Sequence, residues 1–468
     1  MFPVTRFLPS RNDLRELLAL ALPVVTVQVG LMTMGVVDSI MVGSISAAAL
    51  GGVALGNVIF FAASVFGMGV LLSLDPVVSQ AVGAGDRPAI ARGLQRGILL
   101  SLALTAPISL LLLATGPLLR AMSQPADVIP IATGYVWREI PSVFPYYAFI
   151  VFRQTLQALG RMRAIVTVIV AANLLNAALN WVLIFGHLGM PPMGANGSAW
   201  ATTIARWAML AGIVALAWQT LRAHLLPVRR ESFELRPLGR MVAIGAPIGV
   251  HMQLEFGVFG AVGLLMGWIG TEAVAAHQVA INLASLTFMV PLGVAGAATV
   301  LVGRAIGEGE QDRARRAAGA ALLTGVGFMV LTAMAFLAVP RLLASIYSSD
   351  AGVLALAAVL IPIAGVFQVF DGLQVVSGGV LRGLADTRYP AVVGLVGFWL
   401  LGLPISLALS FGFEMGAAGL WWGLAAGLAV AGLLLAGRVR SRFRQVISRV
   451  TIDQEAPVVP DVAPAGQS

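Results

Sequence analysis

From Leu14 to Leu435 the chain is a series of apolar stretches, separated by short breaks of glycine, proline and charged residues. A helix needs about 20 mainly apolar residues to cross a bilayer, because the hydrocarbon core is about 30 Å thick. With 59% hydrophobic and only 11% charged residues, the composition excludes a soluble fold. We therefore predict an all-α integral membrane protein with twelve spans, at 14–42, 47–73, 93–119, 128–152, 164–186, 197–221, 239–268, 273–302, 315–340, 353–380, 390–411 and 416–436.

The distribution of positive charge predicts the orientation of these spans. All 29 basic residues are arginines, and the loops after odd-numbered spans hold only Arg120 and Arg341. By the positive-inside rule both termini face the cytoplasm, so we expect a multi-pass protein of the bacterial inner (cytoplasmic) membrane. The arginines are dispersed over many loops, which argues against nucleic-acid binding. The absence of cysteine excludes disulfides and thiolate chemistry.

The two halves of the chain repeat each other. Residues 193–200 match residues 415–422 at five of eight positions, and Pro23 corresponds to Pro247 at nearly the same offset. Six spans per repeat is an even number, so the copies are parallel and form two six-helix bundles. Such repeats are typical of alternating-access transport, although duplication can also serve only to build a scaffold.

These observations predict four segments. An N-lobe of six transmembrane helices occupies 1–221, a cytoplasmic linker 222–238, a C-lobe of six transmembrane helices 239–440, and a cytoplasmic tail 441–468. The end of the tail is rich in proline, valine, alanine and acidic residues, so we expect it to be largely disordered.

Three carboxylates, Asp38, Glu255 and Asp371, lie inside the predicted spans. An ionised acid at the centre of a membrane helix costs roughly 2.5–3.5 kcal/mol, so acids at this depth indicate an interior polar site that uses them. We therefore interpret them as ion-coupling residues.

Polar residues accompany the acid of the first half. Asn176 and Asn180 share one helix face by their i,i+4 spacing, and Thr202 adds a hydroxyl on the next span. With Asp38 these oxygens suit either a hard cation or a hydrogen-bonded proton. The alternative for the amides and the hydroxyl is that they only join helices to one another.

The second half carries its own polar set. His251 lies four residues before Glu255, and Gln278 and Asn282 form another i,i+4 pair. The histidines lack a metal-binding spacing, so a hydrogen-bonded interior role is favoured for them. Adaptable methionines and aromatic rings such as Met32 and Phe259 suit flat organic cations, although most such residues serve as core.

Several segments together resemble the multidrug and toxic compound extrusion (MATE) family, in its NorM-like branch. The resemblance covers roughly residues 12–440, and the segments that carry it are Val37–Gly43, Asn176-x-x-x-Asn180, Val274–Ala280, Phe288–Gly293 and Asp371–Gly383. It implies a V-shaped pair of six-helix bundles that exports organic cations in exchange for inward Na⁺ or H⁺. We also expect a monomer in membrane lipid that needs no cofactor besides the coupling ion.

The resemblance also assigns roles to residues. The family's coupling acids and candidate Na⁺ ligands fall on Glu255 and Asp371, and its N-lobe cation or proton site falls on Asp38, Asn176, Asn180 and Thr202. Gln278 and Asp350 match positions that contact drug in some members. Together with the residues chosen above for their chemistry, the expected substrate-binding residues are Met32, Phe259, Gln278, Asn282 and Asp350.

Three other functions remain open from the sequence. A major facilitator is the first, because residues 83–88 resemble that family's loop between its second and third spans. A lipid-linked sugar flippase is the second, although its cavity usually has several interior arginines. A membrane-embedded enzyme is the third, and it would need a nucleophile, base or metal cluster that no motif here supplies.

Overall fold

The computed structural model describes residues 7–453, and this part of the chain is helical without any strand. The helices are α1 Arg11–Gly43, α2 Ala47–Leu71, α3 Leu74–Gly83, α4 Arg87–Leu113, α5 Thr115–Ala121, α6 Val128–Glu139, α7 Val143–Ala158, α8 Met162–Phe185, α9 Ala195–Leu225, α10 Leu235–Ile269, α11 Thr271–Gly307, α12 Gln311–Ala338, α13 Pro340–Ser345, α14 Ala351–Gly383, α15 Arg388–Gly394, α16 Leu403–Leu407 and α17 Gly416–Arg442. The all-α membrane architecture predicted from the sequence is confirmed.

Eleven continuous helical stretches in the described part are long and apolar enough to cross a membrane. One of them is α2 with α3, and another, Arg388–Gly412, joins α15 and α16 through the π-helical segments Leu395–Gly402 and Ala408–Gly412. The twelfth predicted span, 128–152, is instead two helices, α6 and α7, joined by a 3₁₀ turn at Ile140–Ser142. Pro141 lies in this turn, and proline cannot donate the backbone hydrogen bond that a continuous helix requires. The span therefore crosses as a broken helix.

Several helices continue past the predicted ends of their spans. The span predicted to end at 73 continues through α3 to Gly83. Helix α7 ends at Ala158 instead of 152, and α14 ends at Gly383 instead of 380. A hydropathy window ends at the first polar residues, whereas a helix continues wherever those residues find partners inside the protein.

Small residues allow the helices to approach closely. A Cβ atom on Gly379 of α14 would lie 2.6 Å from the carbonyl oxygen of Ala295 on α11, so only glycine fits there. Likewise, a Cβ atom on Gly372 of α14 would lie 2.6 Å from the Cγ atom of Met329 on α12. Small residues at such interfaces are what membrane helices use to pack, since lipid gives them no hydrophobic drive to associate.

The segment 443–453, which follows α17, lies across the side of the protein where α1 begins. Its Val450 N–H donates to Gln80 Oε1 at 2.7 Å, and Arg449 pairs with Asp86 at 2.8 Å. Asp453 pairs with Arg92 and Arg96 at 2.7 and 2.6 Å. We call residues 443–453 the strap. The remainder of the predicted tail, 454–468, lies outside the described residues.

The strap also contacts the second half of the chain. Gln311 of α12 donates to the Gln445 carbonyl oxygen at 2.7 Å, and Arg240 of α10 donates to that of Ile452 at 2.8 Å. Ile452 itself is buried. The strap therefore joins both halves on this side of the membrane protein.

Candidate functional site

A cavity of about 620 Å³ lies between the two halves. Its wall is largely apolar and aromatic, and acids of both halves face it. Asp38 comes from α1 and Glu255 from α10. Methionines and aromatic rings that line it include Met32, Phe61, Met68, Tyr146, Phe149, Phe288 and Met289.

The polar residues predicted for the first half meet around Asp38, whose side chain is buried. Asn180 Nδ2 donates to one Asp38 oxygen, and Thr202 Oγ1 donates to the other at 2.9 Å. Asn180 also donates to Asn176 Oδ1 at 3.2 Å, while its own Oδ1 receives no hydrogen bond from residues 7–453. The Asn180 amide and the Thr202 hydroxyl thus both donate to the Asp38 carboxylate, an arrangement that stabilises its ionised form.

Helix packing explains why these residues meet. The i,i+4 spacing places Asn176 and Asn180 on one face of α8, and that face is buried. Gly30 lets α1 approach α8, because a Cβ there would overlap the Ile169 side chain. The approach brings Asp38, two turns further along α1, beside the two amides.

A second buried acid of the first half is Glu139, at the end of α6. Arg206 of α9 lies 3.5 Å from Glu139 Oε1, and it also donates to Ser142 Oγ at 2.7 Å. The guanidinium carbon lies 4.3 Å from the centre of the Phe60 ring, a cation–π contact. Arg206 also lines the cavity, so it can act electrostatically on both Glu139 and Asp38.

In the second half, Glu255, His251 and Gln374 form a connected group. His251 Nε2 lies 3.9 Å from Glu255 Oε2 and 2.9 Å from Gln374 Nε2. Gly394 of α15 packs against the imidazole, and a Cβ atom there would overlap it. His251, Glu255 and Gln374 all line the cavity.

Asp371 is not among the residues that line the cavity, but it interacts electrostatically with Glu255, which does. Its side chain is buried, and none of the residues 7–453 donates a hydrogen bond to it. Its neighbour along the helix, Gln368, is held by Thr287 at 2.8 Å and Thr332 at 2.9 Å. A buried carboxylate without a donor is costly when ionised unless it takes up a proton or a cation.

Four of the five residues expected to bind substrate lie outside the lining of this cavity, and Met32 lies within it. Gln278 and Asn282 hydrogen-bond to each other at 3.1 Å, and Phe259 stacks edge-on against Phe367. Asp350 caps α14 by accepting from the Val353 N–H at 2.9 Å. The structure thus gives these residues local contacts of their own.

The described residues contain no cluster of three or more His, Asp or Glu side chains that would hold a metal ion. The candidate Na⁺ ligands Glu255 and Asp371 therefore stand as a pair of acids, which repel each other electrostatically. Any further oxygens would have to come from amides, hydroxyls, backbone or water.

Charged residues that the sequence analysis left out also line the cavity. Three of them are Asp75 of α3, Arg153 of α7 and Arg382 of α14. Each lies just beyond the predicted end of its span, in the part of the helix that hydropathy misses. Arg382 pairs with Asp75 across the two halves, with 3.4 Å between Nη1 and Oδ2.

The halves touch closely on the side that carries the strap. A Cβ on Gly69 of α2 would overlap Gly249 of α10, and one on Gly83 of α3 would overlap the backbone of Arg304. A Cβ on Gly303 would lie 2.9 Å from the Ser79 Cβ. We call this the closed side of the cavity.

Asp86, on the loop between α3 and α4, illustrates the electrostatics of the closed side. Burial acts to raise the pKa of its carboxyl, but the Ala89 N–H and the Arg449 guanidinium outweigh it. The net effect holds the pKa of Asp86 below its usual value.

A family model described as MatE matches residues 23–182 and again residues 247–408. The second match begins 224 positions after the first, which agrees with the repeat seen in the sequence. Two copies of one unit therefore account for most of the membrane-spanning chain.

Curated relatives and solved structures agree with this match. A probable multidrug resistance protein NorM of Mesorhizobium japonicum is 36% identical over 93% of this chain and 95% of its own length. The multidrug resistance protein PmpM of Pseudomonas aeruginosa is 36% identical over 95% of each chain. A eukaryotic MATE transporter has a similar fold, with a TM-score of 0.83 at 22% identity over 92% of this chain and 99% of its own.

A further solved structure has the same fold. It is the outward-facing form of a multidrug resistance MATE family transporter, with a TM-score of 0.84 at 17% identity. It covers 95% of this chain and 98% of its own. Structural similarity and sequence relatedness thus point to one family.

Proposed function

The chain belongs to the MatE family of multidrug and toxic compound extrusion transporters, and we propose that it exports organic cations in exchange for inward Na⁺ or H⁺. It is a multi-pass secondary transporter and not an enzyme. One observation carries the proposal: acids from opposite halves, Asp38 and Glu255, line a single aromatic cavity between the repeats. An acid attracts a cationic substrate, and rings and thioethers accommodate its flat apolar part.

We propose that the termini and the closed side face the cytoplasm, in agreement with the distribution of the arginines. We propose that the structure then corresponds to the outward-facing state, since the close glycine contacts hold the halves together on the cytoplasmic side. The two lobes, 1–221 and 239–440, would move about the closed side and carry the cavity from one face of the membrane to the other.

The exchange follows from competition for negative charge. In the outward-facing state an incoming Na⁺ or proton neutralises Glu255, Asp371 or Asp38, and the bound organic cation loses its counter-charge and leaves. Because the small ion and the organic cation bind the two states with different affinities, their exchange shifts the equilibrium between those states. The protein would act as a monomer in lipid, with the coupling ion as its second substrate.

Asp371 has a distinct place in this exchange, because it is outside the cavity lining yet interacts electrostatically with Glu255. We propose that a small ion reaches it past Glu255 and His251, whereas an organic cation stays in the cavity. Asn176, Asn180 and Thr202 would hold the ion on Asp38 in the first half. The second half would thus bind its ion more deeply than it binds drug.

Transport by the purified protein in liposomes tests this function. Ethidium movement is measured with a Na⁺ gradient at constant pH, and separately with a pH gradient in the absence of Na⁺. We expect at least one gradient to drive ethidium across the membrane without chemical change. If neither gradient drives it, and no other organic cation is moved, the proposal is wrong.

A further inference from the structure

The strap, residues 443–453, crosses the closed side and contacts both halves of the protein. We propose that the strap is a latch: it has to leave one half before the closed side can open, and it thereby favours the outward-facing state. The proposal rests on the alternating-access movement proposed above and adds a device that controls it. The strap lies outside the cavity lining, so the latch acts on the movement of the halves and not on the binding of the transported molecule.

The beginning of the strap is fixed to the second half. It continues directly from α17, and its first residue, Phe443, is buried. Arg315 of α12 donates to the Phe443 carbonyl oxygen, and Gln311 of the same helix donates to that of Gln445 at 2.7 Å. This part of the strap therefore moves together with the second half.

The end of the strap is held by the first half through charge. The two carboxylate oxygens of Asp453 lie 2.7 Å from Arg92 and 2.6 Å from Arg96, both on α4. The Arg96 side chain is only 1% exposed, whereas that of Asp453 is 32% exposed. Departure of the strap would leave the buried guanidinium without this counter-charge, which is unfavourable. Asp453 therefore stabilises the docked strap.

The same end also contacts the second half. The Ile452 carbonyl oxygen accepts from Arg240 of α10 at 2.8 Å. Adjacent residues of the strap, Ile452 and Asp453, are thus bound to opposite halves. When α4 and α10 move apart on this side, one of these two contacts has to break.

A single side chain joins the strap to the contact between the halves. Gln80 of α3 is buried, and its Nε2 donates to the Gly383 carbonyl oxygen of α14 at 2.9 Å. Its Oε1 accepts from the Val450 N–H of the strap at 2.7 Å. Separation of α3 from α14 would break the first bond, and a strap anchored on the second half would be drawn away from the second. Because an unpaired buried amide is costly, the docked strap opposes this separation.

Labelling of a cysteine at the closed side tests the latch. The natural chain has no cysteine, so Ser79→Cys provides one thiol, at a buried position of α3 outside the cavity lining. Its reaction with a membrane-impermeant maleimide is followed in inverted membrane vesicles, which expose the cytoplasmic side. Asp453→Asn in this background should raise the labelling rate at least about fivefold, because the strap loses the charge that holds its end.

Glu231→Gln is the matched control. Glu231 pairs with the same Arg92 at 3.1 Å, but it belongs to the linker and not to the strap. We expect it to leave the labelling rate unchanged. An equal rise in both variants would show that the arginine controls the closed side without the strap, and this would overturn the latch.

A second reporter distinguishes opening from unfolding. Ser198 of α9 is buried inside the first half, so Ser198→Cys should stay unreactive when only the closed side opens. If Asp453→Asn raises labelling at this position as much as at Ser79→Cys, the protein is unfolding and the latch is wrong.

Ethidium transport by the same proteins separates the latch from the export function. An unchanged labelling rate in Asp453→Asn would overturn the latch, and the export function would stand if the wild type moves ethidium. If labelling rises as expected although the wild type moves no organic cation, the latch stands and the export function fails.

Discussion

The Thr202 hydroxyl on α9 donates a 2.9 Å hydrogen bond to the Asp38 carboxylate on α1. The bond joins two distant helices of the first half at the residue that we propose to bind the coupling ion. Because the hydroxyl offers an oxygen as well as a hydrogen, it can stabilise the ionised acid or help to hold a cation beside it.

Removal of this hydroxyl should weaken ion coupling. Thr202→Val keeps the shape of the side chain but loses a hydrogen bond to a charged group, which is worth about 1.5–3 kcal/mol. We expect the concentration of driving ion needed for half-maximal transport to change at least about tenfold. Thr202→Ser should behave nearly as the wild type does.

Thr203→Val is the control for this prediction. Its hydroxyl donates to the Arg138 carbonyl oxygen at 2.8 Å, one position along the same helix and away from Asp38. If it changes ion dependence as much as Thr202→Val does, the effect comes from the packing of α9 and not from Asp38.

The buried pair of Glu139 and Arg206 makes a second prediction. Glu139→Gln leaves Arg206 without its counter-charge, and loss of one member of a buried pair typically costs about 3–5 kcal/mol. The freed guanidinium should then attract the Asp38 carboxylate and compete with the coupling ion. We expect lower thermal stability of the purified protein and weaker ion-driven transport.

The double variant Glu139→Gln/Arg206→Gln separates these effects. It removes both charges, so it should be more stable than either single variant. Additive losses in a double-mutant cycle of thermal unfolding would show that the two side chains do not interact.

The closed side predicts that the halves can be locked together. The natural chain has no cysteine, so a Ser79→Cys/Gly303→Cys variant would carry a single pair of thiols. A Cβ at 303 would lie 2.9 Å from that of residue 79, so the halves need to separate here by only about 1 Å to reach the roughly 3.5–4.5 Å of disulfides. Oxidation should stop transport, and a reductant should restore it.

The single variants Ser79→Cys and Gly303→Cys provide the controls, and their transport should not respond to oxidant. A crosslinked protein that still transports at the wild-type rate would mean that this side need not open during the cycle. Such a result would contradict alternating access about the closed side.

The strap makes a pH-dependent contribution through Asp86 and Arg449. Because the folded pKa of Asp86 lies below its usual value of 3.8, the ion pair stabilises the protein above that value and its contribution is lost as pH falls through the folded pKa. Arg449→Gln should lower the free energy of unfolding by about 0.2–1 kcal/mol near neutral pH.

Thermal unfolding of the purified protein at several pH values checks this effect. The difference between Arg449→Gln and wild type should shrink at pH values well below 3.8. Arg444→Gln, an exposed neighbour in the strap, should match the wild type throughout. A difference that persists unchanged at low pH would show that Arg449 acts through packing and not through Asp86.

Much of the fold could be predicted from the sequence, because each span is a long apolar run and the repeat keeps its register. The break at Pro141 was missed, since the apolar residues on either side of Arg138, Glu139 and Pro141 together have the length of a single span. The ends of the spans were also missed. As a result Arg153 and Arg382 were counted with the loops, although they lie inside the protein.

Part of the candidate site could also be predicted from the sequence. The i,i+4 pair Asn176 and Asn180 placed two amides on one face, and the structure sets that face against Asp38. The contact between Gln374 of α14 and His251 of α10 could not be inferred. The spacing of polar residues along one helix shows which of them share a face, but not which other helix packs against that face.

The central claim is that the buried acids couple ion entry to export. The most direct test reconstitutes wild type, Asp38→Asn, Glu255→Gln and Asp371→Asn in liposomes and measures ethidium transport together with the flux of the driving ion. The account predicts coupled fluxes for the wild type, and loss of gradient-driven export in the variants although each is folded in the membrane. Wild-type coupled fluxes in all three variants would contradict it.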